Sequence, residues 1–130
     1  VAIAQRKGLR VIPLVGPSSM ILAVMASGFN GQSFAFNGYL PIDAKDRARA
    51  IGKLEARARS EHQTQIFIET PYRNGRLFAD FLNTLGVHTH LCVAAGLTTE
   101  AEFVCTRTVA EWRKTGLPDL AKTPAVFLIY

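Results

Sequence analysis

The segment Glu69-Thr70-Pro71-Tyr72-Arg73 gathers a carboxylate, an aromatic ring and a guanidinium. It stands where an apolar, β-rich run gives way to an amphipathic one. In open α/β sheets, ligands collect beyond the carboxyl ends of strands. Glu69 could accept a hydrogen bond from a ligand hydroxyl, and Arg73 could hold an anion or orient Glu69. The alternative is a structural ion pair, worth about 0–1 kcal/mol if exposed. A second segment, Gly16-Pro17-Ser18-Ser19, combines a tight-turn residue, a proline that pre-sets φ for a first helical turn, and two hydroxyls. Such a helix start suits a carboxylate or phosphate, and equally it is an ordinary N-cap. Ala94-Ala95-Gly96-Leu97-Thr98-Thr99 follows a strand with small residues that would let a ligand approach the backbone. Lys122-Thr123-Pro124-Ala125 leads into a strand, so the strand-end rule gives it no special standing.

Other chemistries lack their residues. His88 and His90 form a pair, but no carboxylate or cysteine cluster completes a metal site. No phosphate-binding Gly-x-x-x-x-Gly-Lys loop, no Gly-x-Gly-x-x-Gly run and no serine nucleophile elbow occurs. Charge is concentrated between Lys45 and Arg59. There Lys45, Arg47, Arg49, Lys53, Arg57 and Arg59 face only Asp46 and Glu55, so the segment carries +4 of the chain's net +5. It reads as a solvated helix face or as a footprint for a polyanion such as RNA.

The elements that must position these groups follow from periodicity and punctuation. Val1–Lys7 reads as a helix end, Leu9–Val15 as a short strand and Ser19–Ser27 as a helix closed by Gly28, the rhythm of a parallel α/β unit. One strand makes no sheet, so its neighbours are expected before residue 1, and the chain is expected to begin inside a domain. Phe29-Asn30-Gly31-Gln32 marks the expected boundary, with residues 1–31 as the remnant of one α/β domain and residues 32–130 as a second. In the second, strands are predicted over 33–40, 64–69, 90–95, 102–107 and 125–130. Helices are predicted over 45–60, 72–85 and 109–114, the first burying Ala48, Ile51, Leu54 and Ala58. The expected architecture is α/β, a mixed sheet of about five strands flanked by helices. Cys92 and Cys105 are the only cysteines. They read as buried thiols in a reducing compartment, with a single disulfide as the alternative. No apolar run approaches the ~20 residues that span a bilayer, so no membrane partner is expected.

The run Leu9-Arg-Val-Ile-Pro-Leu-Val-Gly-Pro-Ser-Ser19, with Ala26-Ser27-Gly28 after it, resembles the tetrapyrrole methylase superfamily of class III S-adenosylmethionine-dependent methyltransferases. Phe36-Asn-Gly-Tyr-Leu-Pro41 and Ile66-Phe-Ile-Glu-Thr-Pro-Tyr-Arg73 are most similar to the branch that methylates a ribose 2'-hydroxyl in 16S ribosomal RNA. The resemblance implies two α/β domains with the methyl donor, S-adenosylmethionine, between them, in a cytoplasmic homodimer. It places Pro17, Ser18, Ser19, Glu69, Thr70, Pro71, Ala94, Ala95, Thr123, Pro124 and Ala125 at the cofactor. Arg73, Lys45, Arg47, Arg49 and Lys53 would then serve the RNA, with the ribosomal small subunit as partner. Glu69 is a candidate proton acceptor by position alone, and the chain by itself is expected to be inactive. Two departures stand out: Ala94–Thr99 lacks the charged pair and lysine usual in the ribosomal branch, and Lys122–Ala125 replaces a Lys-Gly-Glu run. A tetrapyrrole substrate, or a non-catalytic binding or dimerisation module of the same fold, remain the alternatives.

Overall fold

Alternation along the strands sorts the side chains into two layers. In a computed structural model describing residues 1–130, five strands form one sheet in the order β1-β2-β5-β3-β4. They are β1 (Phe34–Gly38), β2 (Thr64–Glu69), β3 (His90–Ala95), β4 (Phe103–Thr108) and β5 (Ala125–Ile129). β1 runs parallel to β2, and the other pairings are antiparallel. The central strand β5 has no polar residue because both its faces are covered. Phe127 and Ile129 join the larger core, under the helices α3 (Ala44–Glu61), α4 (Asn74–Thr84) and α5 (Val109–Thr115). Val126 and Leu128 face the opposite layer, where Ala23 and Val24 of α2 (Ser19–Ser27) pack on Ile66, Cys92 and Ala94. The expected mixed sheet flanked by helices is therefore present. No helix is long and apolar enough to cross a membrane.

Local chemistry sets the helix ends. The Asp43 carboxylate caps α3 by accepting from the amides of Lys45 and Asp46. Thr108 and Glu111 form a reciprocal capping box on α5. The predicted helix over 72–85 divides into a 3₁₀ turn, Pro71–Arg73, followed by α4.

Two expectations change. The first concerns Leu9–Val15, which forms no strand after the short helix α1 (Ala2–Arg6). Both faces of Leu14 and Val15 lie open, and Leu9 and Ile12 are also exposed. A strand exists only by pairing its amides and carbonyls with a neighbour. None of the five strands lies beside this run, and Pro13 brings no donor of its own.

The second concerns the burial of Cys105, which is only half-buried, while the reading of both cysteines as free thiols holds. Cys92 lies opposite Thr106, and Cys105 lies opposite Val93 on the adjoining strand. Neighbouring positions on a strand point to opposite faces, so the two thiols stand on different sides of the sheet and both are free. The disulfide alternative falls. Burial pushes the Cys92 thiol up from an ordinary value near 9.0 to about 11, a rise that a hydrogen bond with Thr106 partly offsets. Cys92 is therefore expected to resist a thiol reagent at pH 8 until denaturant is added, as a colorimetric thiol titration would measure. A thiol pKa raised on folding also means stability that is intact below the unfolded value. That stability is lost as pH climbs from about 9 toward about 11.

Candidate functional site

One end of the sheet collects the motif residues, and strand direction is the reason. β5 runs antiparallel to both its neighbours, so its amino end lies beside their carboxyl ends. Ala125 pairs with Glu69 on one side and Ala95 on the other. The segment before β5, given no standing by the strand-end rule, is thereby drawn into the same cluster. β1 is parallel to β2 and delivers its own carboxyl end there too. A bulge between Phe36 and Gly38, with Gly38 in the left-handed region at φ 66°, turns the chain toward Tyr39.

These ends enclose a cavity of about 330 Å³. Ser19 contributes from the first turn of α2, Tyr39 from beyond β1, Glu69 from β2, Ala94 from β3, Gly96 from the loop after it, Pro124 from just before β5, and Ala125 from its start. Of the residues that the sequence singles out for a cofactor, Ser19, Glu69, Ala94, Pro124 and Ala125 are on the wall. Pro17, Ser18, Thr70, Pro71, Ala95 and Thr123 lie outside it. Ser18 occupies the N-cap position of α2 but makes no side-chain cap, so the ordinary-cap reading of the serines is not what their hydroxyls do. Tyr39, Gly96, Leu97 and Thr99 join the wall without having been singled out as cofactor contacts, although Tyr39 and the 94–99 run belong to quoted motifs.

The carboxylate of Glu69 is held from one side. Its Oε1 accepts from the Thr70 amide at 2.7 Å and the Thr70 hydroxyl at 3.2 Å. Arg73 adds its Nε at 3.0 Å and an Nη at 2.9 Å. The Glu69 side chain is 8% exposed and Arg73 30%. All these donors converge on Oε1, and none in the chain reaches Oε2. Arg73 therefore orients Glu69, as one sequence reading allowed, and the bond is well sheltered. Glu69 is the only carboxylate on the cavity wall.

The loop after β3 is built for close approach. Gly96 adopts φ 59°, its amide donates to the Pro124 carbonyl at 3.0 Å, and its carbonyl accepts from the Thr99 hydroxyl at 2.7 Å. A Cβ there would stand 3.1 Å from the Ala101 carbonyl oxygen and 3.2 Å from the Thr99 hydroxyl, so a larger residue would be strained at this φ and would crowd both oxygens. The loop before β5 is tied from below by Asn74, fully buried at the start of α4. Its Nδ2 donates to the carbonyls of Leu120 at 3.1 Å and Thr123 at 2.8 Å.

The basic helix needs a correction. Lys45, Arg49 and Lys53 are exposed, Arg49 pairing with Asp46 at 3.3 Å. Arg47 is buried instead, with Nε donating to Asp80 at 2.6 Å and Nη1 to the Pro41 and Ile42 carbonyls. It cannot belong to an outward footprint. Positions 47, 51, 54 and 58 share one helix face, so Arg47 falls on the same stripe as Ile51, Leu54 and Ala58. No group of three or more His, Cys, Asp or Glu side chains is placed to hold a metal ion.

No family model matches the chain. It is 37% identical over 107 residues to ribosomal RNA small subunit methyltransferase I of Vibrio cholerae, a match covering 82% of this chain and 36% of that protein. With the Haemophilus influenzae protein of the same name, identity is 35% over 116 residues, covering 89% of this chain and 40% of the relative. The chain thus spans well under half the length of these relatives. Among solved structures, the methyltransferase CobJ superposes with a TM-score of 0.57 at 16% identity, over 98% of this chain and 54% of its own. The cobalt precorrin-4 methyltransferase CbiF gives a TM-score of 0.55 at 16% identity, over 98% and 55%.

Proposed function

We propose that this chain, similar in sequence to one stretch of the small subunit methyltransferase I proteins and in fold to the methyltransferases CobJ and CbiF, is part of an S-adenosylmethionine-dependent enzyme that methylates a ribose 2'-hydroxyl of small-subunit ribosomal RNA. The observation that carries this reading is the convergence of the two motifs and the small-residue loops on one cavity. Residues 32–130 form the domain that walls the donor on one side. α2 packs on the sheet of that domain, and the segment before it leads in from a preceding domain that supplies the other wall, so the chain alone is inactive. The reading includes a homodimer and a cytoplasmic location, and the two free thiols fit a reducing compartment.

The cavity residues suit the donor. The unpaired amides at the start of α2, beside Ser19, offer an anion site for its carboxylate. Ala94 and Gly96 leave the backbone open, and Tyr39 brings a ring face for a base. When bound, S-adenosylmethionine supplies a methyl group on a positively charged sulfur. What remains for the chain is to align the acceptor and exclude water. Glu69, fixed by Arg73 through Oε1, presents Oε2 as the acceptor for the ribose hydroxyl proton. Lys45, Arg49 and Lys53 give the RNA backbone a charged face on α3.

Incubating the intact protein with a labelled methyl donor and either ribosomal small subunits or porphyrinogens tests this. Label is expected in the ribosomal RNA, and label confined to the porphyrinogen would reject the RNA reading. With Glu69→Gln, turnover is expected to fall by about 10²–10⁴ if Oε2 takes the proton. An unchanged rate would remove Glu69 from that role. Sedimentation of the intact protein checks the dimer.

A further inference from the structure

Arg47 is the only buried charged side chain of α3, and its hydrogen bonding is incomplete. Nε and Nη1 are engaged by Asp80 and by the carbonyls of Pro41 and Ile42. Nη2 is buried with no partner at all. A charged donor left unsatisfied in the interior is costly, and native structures rarely keep one without a use. Arg47 lines a small recess of about 20 Å³ together with Glu69, Arg73, Arg76, Ile42 and Leu77. That volume admits one water or one ligand oxygen. Arg76 on the rim is exposed and makes no hydrogen bond or ion pair within the chain, so its arm is free to move. Three guanidinium groups meet here against the carboxylates of Glu69 and Asp80, leaving a surplus positive charge.

We propose that this recess is a phosphate subsite. One oxygen of a phosphodiester enters on the Arg47 side of the recess, where a small shift of the guanidinium uncovers the buried Nη2, while Arg76 closes on the outer oxygens, in the paired geometry that guanidinium and phosphate favour. Glu69 would repel an anion if free, but Arg73 already holds its Oε1. Glu69 also lines the larger cavity, so a phosphate in the recess sits next to the place where a ribose hydroxyl would react. The substrate class is therefore a nucleic acid backbone, held at a phosphate neighbouring the reacting sugar. This deepens the RNA reading given above and rests on it.

The test uses the chain labelled with ¹⁵N at arginine, following guanidinium signals while inorganic phosphate and then a ribodinucleoside monophosphate are added. Both ligands are expected to shift the Arg47 signals, the dinucleotide at lower concentration. Arg76→Gln is expected to weaken both by about tenfold, the loss of one charge-assisted contact. Arg59→Gln, on the exposed far end of α3, should change neither. Thermal melts confirm that both variants fold. Arg47 signals indifferent to phosphate, or an Arg76→Gln variant that binds as well as the parent, would overturn the subsite. A recess that shows only exchange with water would do the same. If the dinucleotide binds no better than free phosphate, the nucleic acid assignment falls. Methyl transfer is not the readout, so phosphate binding without ribosomal RNA methylation would sink the function and leave the subsite standing.

Discussion

Asn74→Asp is expected to destabilise the chain by about 3–5 kcal/mol at neutral pH, although the two side chains have nearly the same shape. Asn74 is completely buried, and its Nδ2 donates to both the Leu120 and Thr123 carbonyls. An aspartate oxygen there would turn two donor contacts into two acceptor–acceptor clashes and bury a charge without a partner. The variant should relieve this by staying protonated, so its folded pKa would lie above the unfolded value of about 3.9. The sign follows from that rise. The penalty is smallest below about pH 4 and grows by about 1.4 kcal/mol per unit as pH climbs, until the folded carboxyl ionises. Urea titrations of variant and parent across this range would measure it. A pH-independent difference, or one below about 1 kcal/mol at pH 7, would show that the two carbonyls do not depend on this donor.

The second large effect belongs to Trp112. α5 has seven residues, too few to hold a helix by itself. Its capping box fixes the start, and Trp112 fixes it to the core. The indole is fully buried, meets Phe78 edge-on at 5.3 Å, and donates from Nε1 to the Leu91 carbonyl at 2.8 Å. Arg107 lies over it with 5.0 Å between the guanidinium carbon and the ring centre. Trp112→Ala is expected to cost about 3–5 kcal/mol in packing, with about 0.5–1.5 more for the lost indole hydrogen bond. Against a typical total of about 5–15 kcal/mol, that leaves much of the population unfolded. Trp112→Phe isolates the polar part and should cost less than the alanine variant. The chain has one tryptophan, so circular dichroism rather than fluorescence must report the melts. A Trp112→Ala protein melting within a few degrees of the parent would mean that α5 is anchored by something else.

Strands β2 and β3 were legible to the residue, since Thr70-Pro71 and Gly96 punctuate them sharply and their interiors are β-rich. Leu9–Val15 carries the same composition, yet composition cannot supply a neighbour to pair with. Arg47 was misread as part of an outward face because six charges on one segment were counted before their angles on the helix were considered. The spacing to Ile51, Leu54 and Ala58 held the answer. Direction was harder. Nothing in Lys122-Thr123-Pro124-Ala125 announces that the following strand will insert antiparallel between two others and bring its front end to the cavity. Asn74 carried no local signal either, because its partners lie 46 and 49 residues along the chain.

The place of β5 also governs the order in which this fold can be completed. It is the latest of the five strands to leave the ribosome, and it is the middle of the sheet. Until it arrives, β1 with β2 and β3 with β4 are two separate ribbons with their inner edges bare. Phe67, Val93 and Ile66 then lack the β5 side chains that complete their packing. Such edges are templates for pairing with other chains. Nascent copies would therefore need shielding until the closing strand is made. A stop codon before Ala125 should yield not a smaller domain but an aggregate.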